Sequence, residues 1–436
     1  MTNFLERTFH IKERGSTIGR ELLGGLVTFL AMAYIIFVNP GMLSLTGMNY
    51  TAVMLATCIS AAIGTFLTAF MANVPFAQAP GMGLNAFFTY TICLGMGYTW
   101  QQGLAMVFIS GVIFLLITLS PLRDKIISII PPMLKRAISV GIGLFIALIG
   151  LLNAGIVTAN NNLLDLGAIT SGAPLLAIIG LLITAILIVF KVKGAILYSI
   201  IVTTLIGIPM GITNTNVSFD FSNLSLSPTF FQLSFEGLLT AGIVPFVVAT
   251  LTFCMCDIFD TCGTLIGCAA GCDMLDENGN MENESANRAL TADAIATVTG
   301  SLFGTSTTTT FVESSTGVAA GARTGLASVI TGLLFLLACF LAPIAGIVPS
   351  AATAPALIIV GVYMIGNVKY IDWSDMEIAV PAFLTIAMMP FGYSISDGIG
   401  FGIISYVLIK MCKGKFKEIN PLMYVLAILF ILMYAL

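Results

Sequence analysis

Gly304-Thr-Ser-Thr-Thr-Thr-Thr-Phe-Val-Glu313-Ser-Ser-Thr-Gly-Val318 sits in the middle of a strongly apolar chain. Thr305 to Thr310 is a run of hydroxyl residues, β-branched at all but one position. It makes a poor helix and a good short strand. A short glycine-containing apolar run follows from Glu313. A second stretch has the same form: Val74-Pro75-Phe-Ala-Gln-Ala-Pro80-Gly81 precedes another short, glycine-rich run. Pro75 and Pro80 hold that piece extended, because proline and the residue before it resist the α region. Extended backbone at membrane depth is tolerated only where it is buried in protein or lines a cavity. Two extended pieces, each leading into a half-helix, therefore point to one central polar site, with helix N-termini offering N–H donors and positive dipole ends.

The composition fixes the solvent. The 436 residues are 58% hydrophobic and 9% charged, with a mean hydropathy of +1.03. The net charge of -4 leaves no electrostatic footprint for nucleic acid. The polar first 18 residues lead into an apolar run without a small-residue cleavage pattern, so that run reads as a retained span. The nine cysteines are scattered singly and read as small buried hydrophobes. The only histidine, His10, is in the N-terminal tail, which excludes a histidine relay or a histidine metal site within the membrane. No metal or cofactor is expected.

Apolar segments fall at 20-42, 52-72, 81-96, 101-120, 131-153, 174-191 and 194-211. A second set falls at 236-263, 287-303, 312-322, 325-346, 351-366, 377-392 and 396-411. Several are shorter than the about 20 residues of a full span, as in transporters with discontinuous helices. Counted as 14 spans, all 17 Lys and Arg residues lie on the N-terminal side, and the loops after odd-numbered spans contain none. The positive-inside rule puts that side, with the N-terminus and the basic stretch 410-417, in the cytoplasm. A faint duplication agrees with this count. Ile130-Pro-Pro132 and Val348-Pro349 open similar runs at the same place in each half, and seven spans per half force the halves into opposite orientations. The expected organisation is a cytoplasmic tail (1-18), a first inverted repeat (19-211), a second (236-411), and a basic stretch with a final apolar segment (412-436).

Four carboxylates lie in or beside these apolar runs: Asp257, Asp260, Asp293 and Glu313. Ionisable groups at membrane depth are expensive and mark substrate or ion pathways. An ionised carboxylate only accepts hydrogen bonds. Together with N–H donors from the half-helices, Asp260 and Glu313 suit a ligand that has both N–H and C=O edges, such as a nucleobase. Asp257, one turn before Asp260, is either a helper or the partner of a neighbouring helix. Gly398-Ile-Gly400-Phe-Gly402 lies in an apolar run and reads as close helix packing, not a dinucleotide loop. Asp273 to Asn280 reads as a solvated acidic loop.

Four stretches carry a family resemblance: Thr28-Phe-Leu-Ala-Met-Ala-Tyr-Ile-Ile-Phe-Val-Asn-Pro40, Ala79-Pro-Gly-Met-Gly-Leu-Asn85, Asp257-Ile-Phe-Asp-Thr-Cys-Gly-Thr264, and Thr291-Ala-Asp-Ala-Ile-Ala-Thr297 running on through Val318. The chain resembles the nucleobase-cation symporters of the nucleobase-ascorbate class, in particular the AzgA-like purine permease branch. The resemblance implies an all-α integral membrane fold of 14 transmembrane segments in two inverted seven-helix repeats, with short strands before the half-helices. It also implies a core domain (spans 1-4 and 8-11) that moves against a gate domain (spans 5-7 and 12-14). It implies import of hypoxanthine or guanine, with adenine admitted, by proton symport in the cell membrane; sodium stays open as the coupling ion, and a homodimer is compatible. The implied substrate contacts are Asp260, Glu313, Ala79, Gly81, Asn85, Phe259, Phe311 and Ser314. Asp260, Asp293 and Asp257 are the implied proton-coupling or supporting acids. The chain has Asp at 260 where uracil and xanthine relatives have Glu. An inorganic anion carrier on the same fold is the alternative. An enzyme is not expected, because no nucleophile–base pair is apparent.

Overall fold

The computed structural model describes residues 2–120, 129–160, 163–215, 224–240, 242–270, 272, 274, 281, 283–342 and 346–435. Fourteen helical segments follow the expected order. In the first repeat, span 1 is Ile18–Met32 with Ile35–Leu43, span 2 is Tyr50–Leu67 and span 3 is Met82–Ala86. Spans 4 to 7 are Trp100–Leu119, Pro132–Asn153, Gly172–Val189 and Ala195–Gly207. In the second repeat, spans 8 to 11 are Ile243–Ala270, Asn283–Phe303, Ser314–Ala319 and Gly325–Ala338. Spans 12 to 14 are Ser350–Ile365, Met376–Phe391 and Ile395–Cys412. Eight of the described helices are long and apolar enough to cross a membrane on their own. The protein is a multi-pass membrane protein of two inverted seven-helix repeats.

Local chemistry explains the ends. Asn49 caps span 2 by accepting the Ala52 N–H at 3.0 Å, and Thr99 with Gln102 forms a capping box on span 4. Pro131 and Pro349 stand at the N-caps of spans 5 and 12, so the duplicated proline signals mark equivalent helix starts. Spans 2 and 3 both continue in wider π-helical turns, Thr68–Ala72 and Phe87–Gly95. Such widening is common next to functional sites.

Packing divides the helices into two bodies. Spans 1, 2, 4 and 8–11 pack among themselves, and spans 5–7 and 12–14 do likewise. Within the second body, spans 5 and 12 touch backbone to backbone: a methyl group at Gly143 would lie 3.0 Å from the Gly361 carbonyl oxygen, and one at Gly150 3.0 Å from that of Ala354. Small residues permit this approach where no hydrophobic force drives helices together.

Basic residues gather at one face. Arg136 donates to the Tyr370 carbonyl at 2.6 Å. Glu377, at the start of span 13, collects Lys410 and Lys415 at 3.0 Å each, and also Lys413. Lys410 also reaches Glu418 at 2.6 Å, which holds the Glu418 carboxyl below the usual carboxylate range.

The structure departs from the sequence reading in several places. Span 8 starts at Ile243, not 236, and runs on to Ala270. Span 10 is helical over only six residues. Residues 2–9 of the tail form a helix, and Phe9 and Ile11 pack on Leu326. A hairpin of β2 (Val157–Asn160) and β3 (Leu163–Leu166) connects spans 5 and 6. The final apolar segment is a helix, Pro421–Ala435, that packs on spans 14 and 8. Arg123, Lys125 and most of the acidic loop at Asp273 to Asn280 lie outside the described residues.

Candidate functional site

The two extended pieces meet. β1 (Gln78–Pro80) pairs antiparallel with β4 (Thr308–Thr310), with Gln78 opposite Thr310 and Pro80 opposite Thr308. The ladder extends by one bond at each end, Gly81 N–H to the Thr307 carbonyl and Phe311 N–H to the Ala77 carbonyl, both 3.0 Å. Spans 3 and 10 leave this two-stranded crossing as half-helices, one from each repeat.

Asp293 of span 9 ties the crossing together from behind. It is fully buried and accepts four hydrogen bonds. Oδ1 takes the Gln78 amide (3.2 Å), the Thr310 N–H (2.9 Å) and the Thr310 hydroxyl (3.1 Å), and Oδ2 takes the Thr261 hydroxyl (2.7 Å). Thr261 also contacts the Thr309 hydroxyl at 2.7 Å. Asp293 therefore joins both strands and span 8. Asp257 is equally buried: one oxygen accepts from Thr297 at 2.9 Å, and Oδ1 has no partner among the described residues.

Glu313 and Asp260 are placed differently. Glu313 stands at the start of span 10 and accepts the Tyr34 hydroxyl at 2.7 Å. A carboxylate has about four acceptor positions, so this bond leaves room for a ligand. Asp260 is exposed, and its carboxylate makes no hydrogen bond among the described residues. Ile266 and Val312 are exposed on the same side, and a methyl group at Gly263 or Gly267 would meet nothing within 4 Å. Span 8 is thus uncovered along the Asp260 face toward its C-terminal end, on the side of the basic residues.

The half-helices are not equivalent as donors. The first N–H groups of span 10, at Ser314, Ser315 and Thr316, are used in tight turns to the carbonyls of Phe311, Val312 and Glu313. In span 3 the N–H groups of Met82, Gly83 and Leu84 have no acceptor among the described residues. The donors expected at both ends are thus available at one.

Among the other expected contacts, Gly81 lies at the exit of β1, and Phe311 packs 6.5 Å from the Tyr34 ring. Ala79 is buried within β1. Asn85 and Ser314 serve the frame: Asn85 accepts from Ser306, and the Ser314 hydroxyl accepts the Ala77 N–H at 3.0 Å. Phe259 lies elsewhere, on the wall of an apolar cavity with Met255, Ile258 and Leu426, with the Lys135 ammonium 5.1 Å from its ring. The sequence reading gave no role to Tyr34, Gln78 or Thr261. Tyr34 lies in the break of span 1, between Met32 and Ile35, and Gln78 is the one amide between the two prolines. Tyr363 of span 12 is half exposed.

A family known as Xan_ur_permease and described as a permease family matches residues 19–401. The chain belongs to this permease family. It is 45% identical over 436 residues to the guanine/hypoxanthine permease PbuG of Bacillus subtilis, covering 98% of each chain. It is 42% identical over 429 residues to the adenine permease AdeP of Escherichia coli, covering 98% of this chain and 95% of that one. Among solved structures, the transmembrane domain of the cyanobacterial bicarbonate transporter BicA superposes with a TM-score of 0.64 at 16% identity, covering 89% of this chain and 97% of that one. That likeness concerns the fold alone. The protein is a membrane transporter and not an enzyme.

Proposed function

We propose that this permease imports purine nucleobases, hypoxanthine and guanine first with adenine admitted, together with protons across the cell membrane. The observation that supports this most is the pairing of two accessible carboxylates, Glu313 and Asp260, with the free N–H groups of Met82 to Leu84 at one crossing. A purine edge carries N–H donors for the carboxylates and carbonyl or ring-nitrogen acceptors for the backbone. The names of the two relatives point to the same ligand class. Asp260 is the candidate proton carrier, because it is exposed and its carboxylate has no hydrogen bond among the described residues, while Asp293 and Asp257 support the frame. The basic face is assigned to the cytoplasm with the N-terminus, so the described conformation faces inward. The core, which holds all the named ligand groups, carries the substrate past the gate as a rigid body.

The fold likeness to a bicarbonate transporter keeps an anion carrier as the competing reading, although two carboxylates would repel a simple anion. Competition uptake separates the two. Labelled hypoxanthine is offered to cells lacking their own purine uptake, with guanine, adenine, uracil or bicarbonate in excess. Purines should compete and bicarbonate should not. Hypoxanthine entry that no purine reduces, or block by bicarbonate alone, would contradict the proposal.

A further inference from the structure

Tyr90 lies on the π-helical continuation of span 3, well past the half-helix start, and is buried. Its polar partner and two of its ring neighbours belong to the gate. Its hydroxyl accepts from Asn153 Nδ2, at the end of span 5, at 3.1 Å. Its ring meets Phe145 of span 5 at 6.5 Å and Tyr393, between spans 13 and 14, at 5.8 Å, both edge to face. Phe145 and Tyr393 close the triangle at 5.5 Å. Tyr393 has a φ of +53°. A bulky residue rarely adopts that left-handed conformation, which persists where surrounding contacts hold it.

The cluster lies where odd-numbered spans end, on the face opposite the basic residues. A crevice of about 220 Å³ between spans 1 and 2 and spans 5 and 12 reaches it from that face, lined by Ser44, Tyr50, Asn153, Ser350 and Thr353 among others. Asn153 belongs to both the crevice and the cluster. The two approaches to the site are therefore unequal: spans 8 and 10 leave Asp260 open toward the basic face, while Tyr90 is packed against three gate side chains on the other.

We propose that Tyr90, Asn153 and Tyr393 form a latch that closes the site on the face opposite the N-terminus and must part before the core can present the site there. This rests on the proposed movement of core against gate. The residues act on the domains and not on the ligand, so they are positioning residues.

Ile142→Cys, buried on span 5 one turn deeper than Phe145 and against Gly83 of span 3, reports opening by its reaction with a membrane-impermeant thiol reagent applied from that face. Tyr90→Phe keeps the ring and removes the hydroxyl; labelling of Ile142→Cys should rise about fivefold, the weight of one hydrogen bond. Tyr393→Leu removes both of its ring contacts and should raise labelling further, which covers the case in which the first variant folds poorly. Unchanged labelling in both would overturn the latch. A second arm tests the underlying movement. Tyr90→Cys and Tyr393→Cys, joined by a short reducible bis-thiol reagent, should stop purine transport until reduction. Continued transport by the fully bridged protein would refute core–gate movement itself. Reversible block with unchanged Ile142→Cys labelling in the single variants would refute the latch alone.

Discussion

Glu313 and Asp293 show how two carboxylates at one crossing take opposite roles. Asp293 has every near acceptor position filled by the frame, whereas Glu313 accepts one hydroxyl and keeps acceptor positions unfilled among the described residues. Their removal should therefore separate. Glu313→Ala loses a charge-assisted bond of about 1.5–3 kcal/mol to the ligand. It should abolish measurable uptake while surface expression and melting temperature stay near wild type. Tyr34→Phe frees the carboxylate but loosens it, and should weaken substrate affinity several-fold while uptake continues. Asp293→Ala strands four buried donors, each costing about 1–3 kcal/mol. It should lower the melting temperature in detergent together with uptake. A thermally intact Asp293→Ala protein would contradict the keystone role. The four acids were legible as outliers in an apolar chain, and the resemblance already implied a supporting role for Asp293; the partners of each acid were not legible. Gln78 and Asp293 are 215 positions apart, and no local pattern encodes a bond across that separation.

Among the elements, the strand pair was the most legible. The prolines around β1 and the threonine run of β4 are local signals with local causes, and both strands form within the stretches read as extended. What escaped was set by neighbours. The π-helical widening of spans 2 and 3 and the use of the span 10 N–H groups in tight turns depend on how the half-helices seat, not on composition. The hairpin between spans 5 and 6 was missed because it is short and lies in a connection. Close packing of the crossing gives its own prediction. A methyl group at Gly81 would lie 2.5 Å from Thr309 Cγ2. Gly81→Ala should impair uptake, and adding Thr309→Ser, which removes that methyl and keeps the hydroxyl for Thr261, should restore part of it. A double variant no better than the single one would show that Gly81 matters for another reason.

At the scale of the whole molecule, charge parity carried the topology. Lys and Arg confined to one side of 14 segments made the span count self-checking, and equivalent prolines at spans 5 and 12 exposed the duplication. Hydropathy alone does not say what the final apolar segment packs on; here it is spans 14 and 8. Fold and function also part company at this scale. The architecture is shared with a bicarbonate transporter at 16% identity, so it does not choose the cargo. The side chains at the crossing make that choice, and on the present account they choose a purine driven by protons. The direct test uses purified protein in liposomes with an acidic outside, following labelled hypoxanthine. Wild type should accumulate it, a protonophore should collapse the accumulation, a sodium gradient should not replace the proton gradient, and Glu313→Ala should stay at the level of empty liposomes. Accumulation that follows sodium and ignores pH would refute proton coupling, and equal uptake by wild type and Glu313→Ala would refute the site.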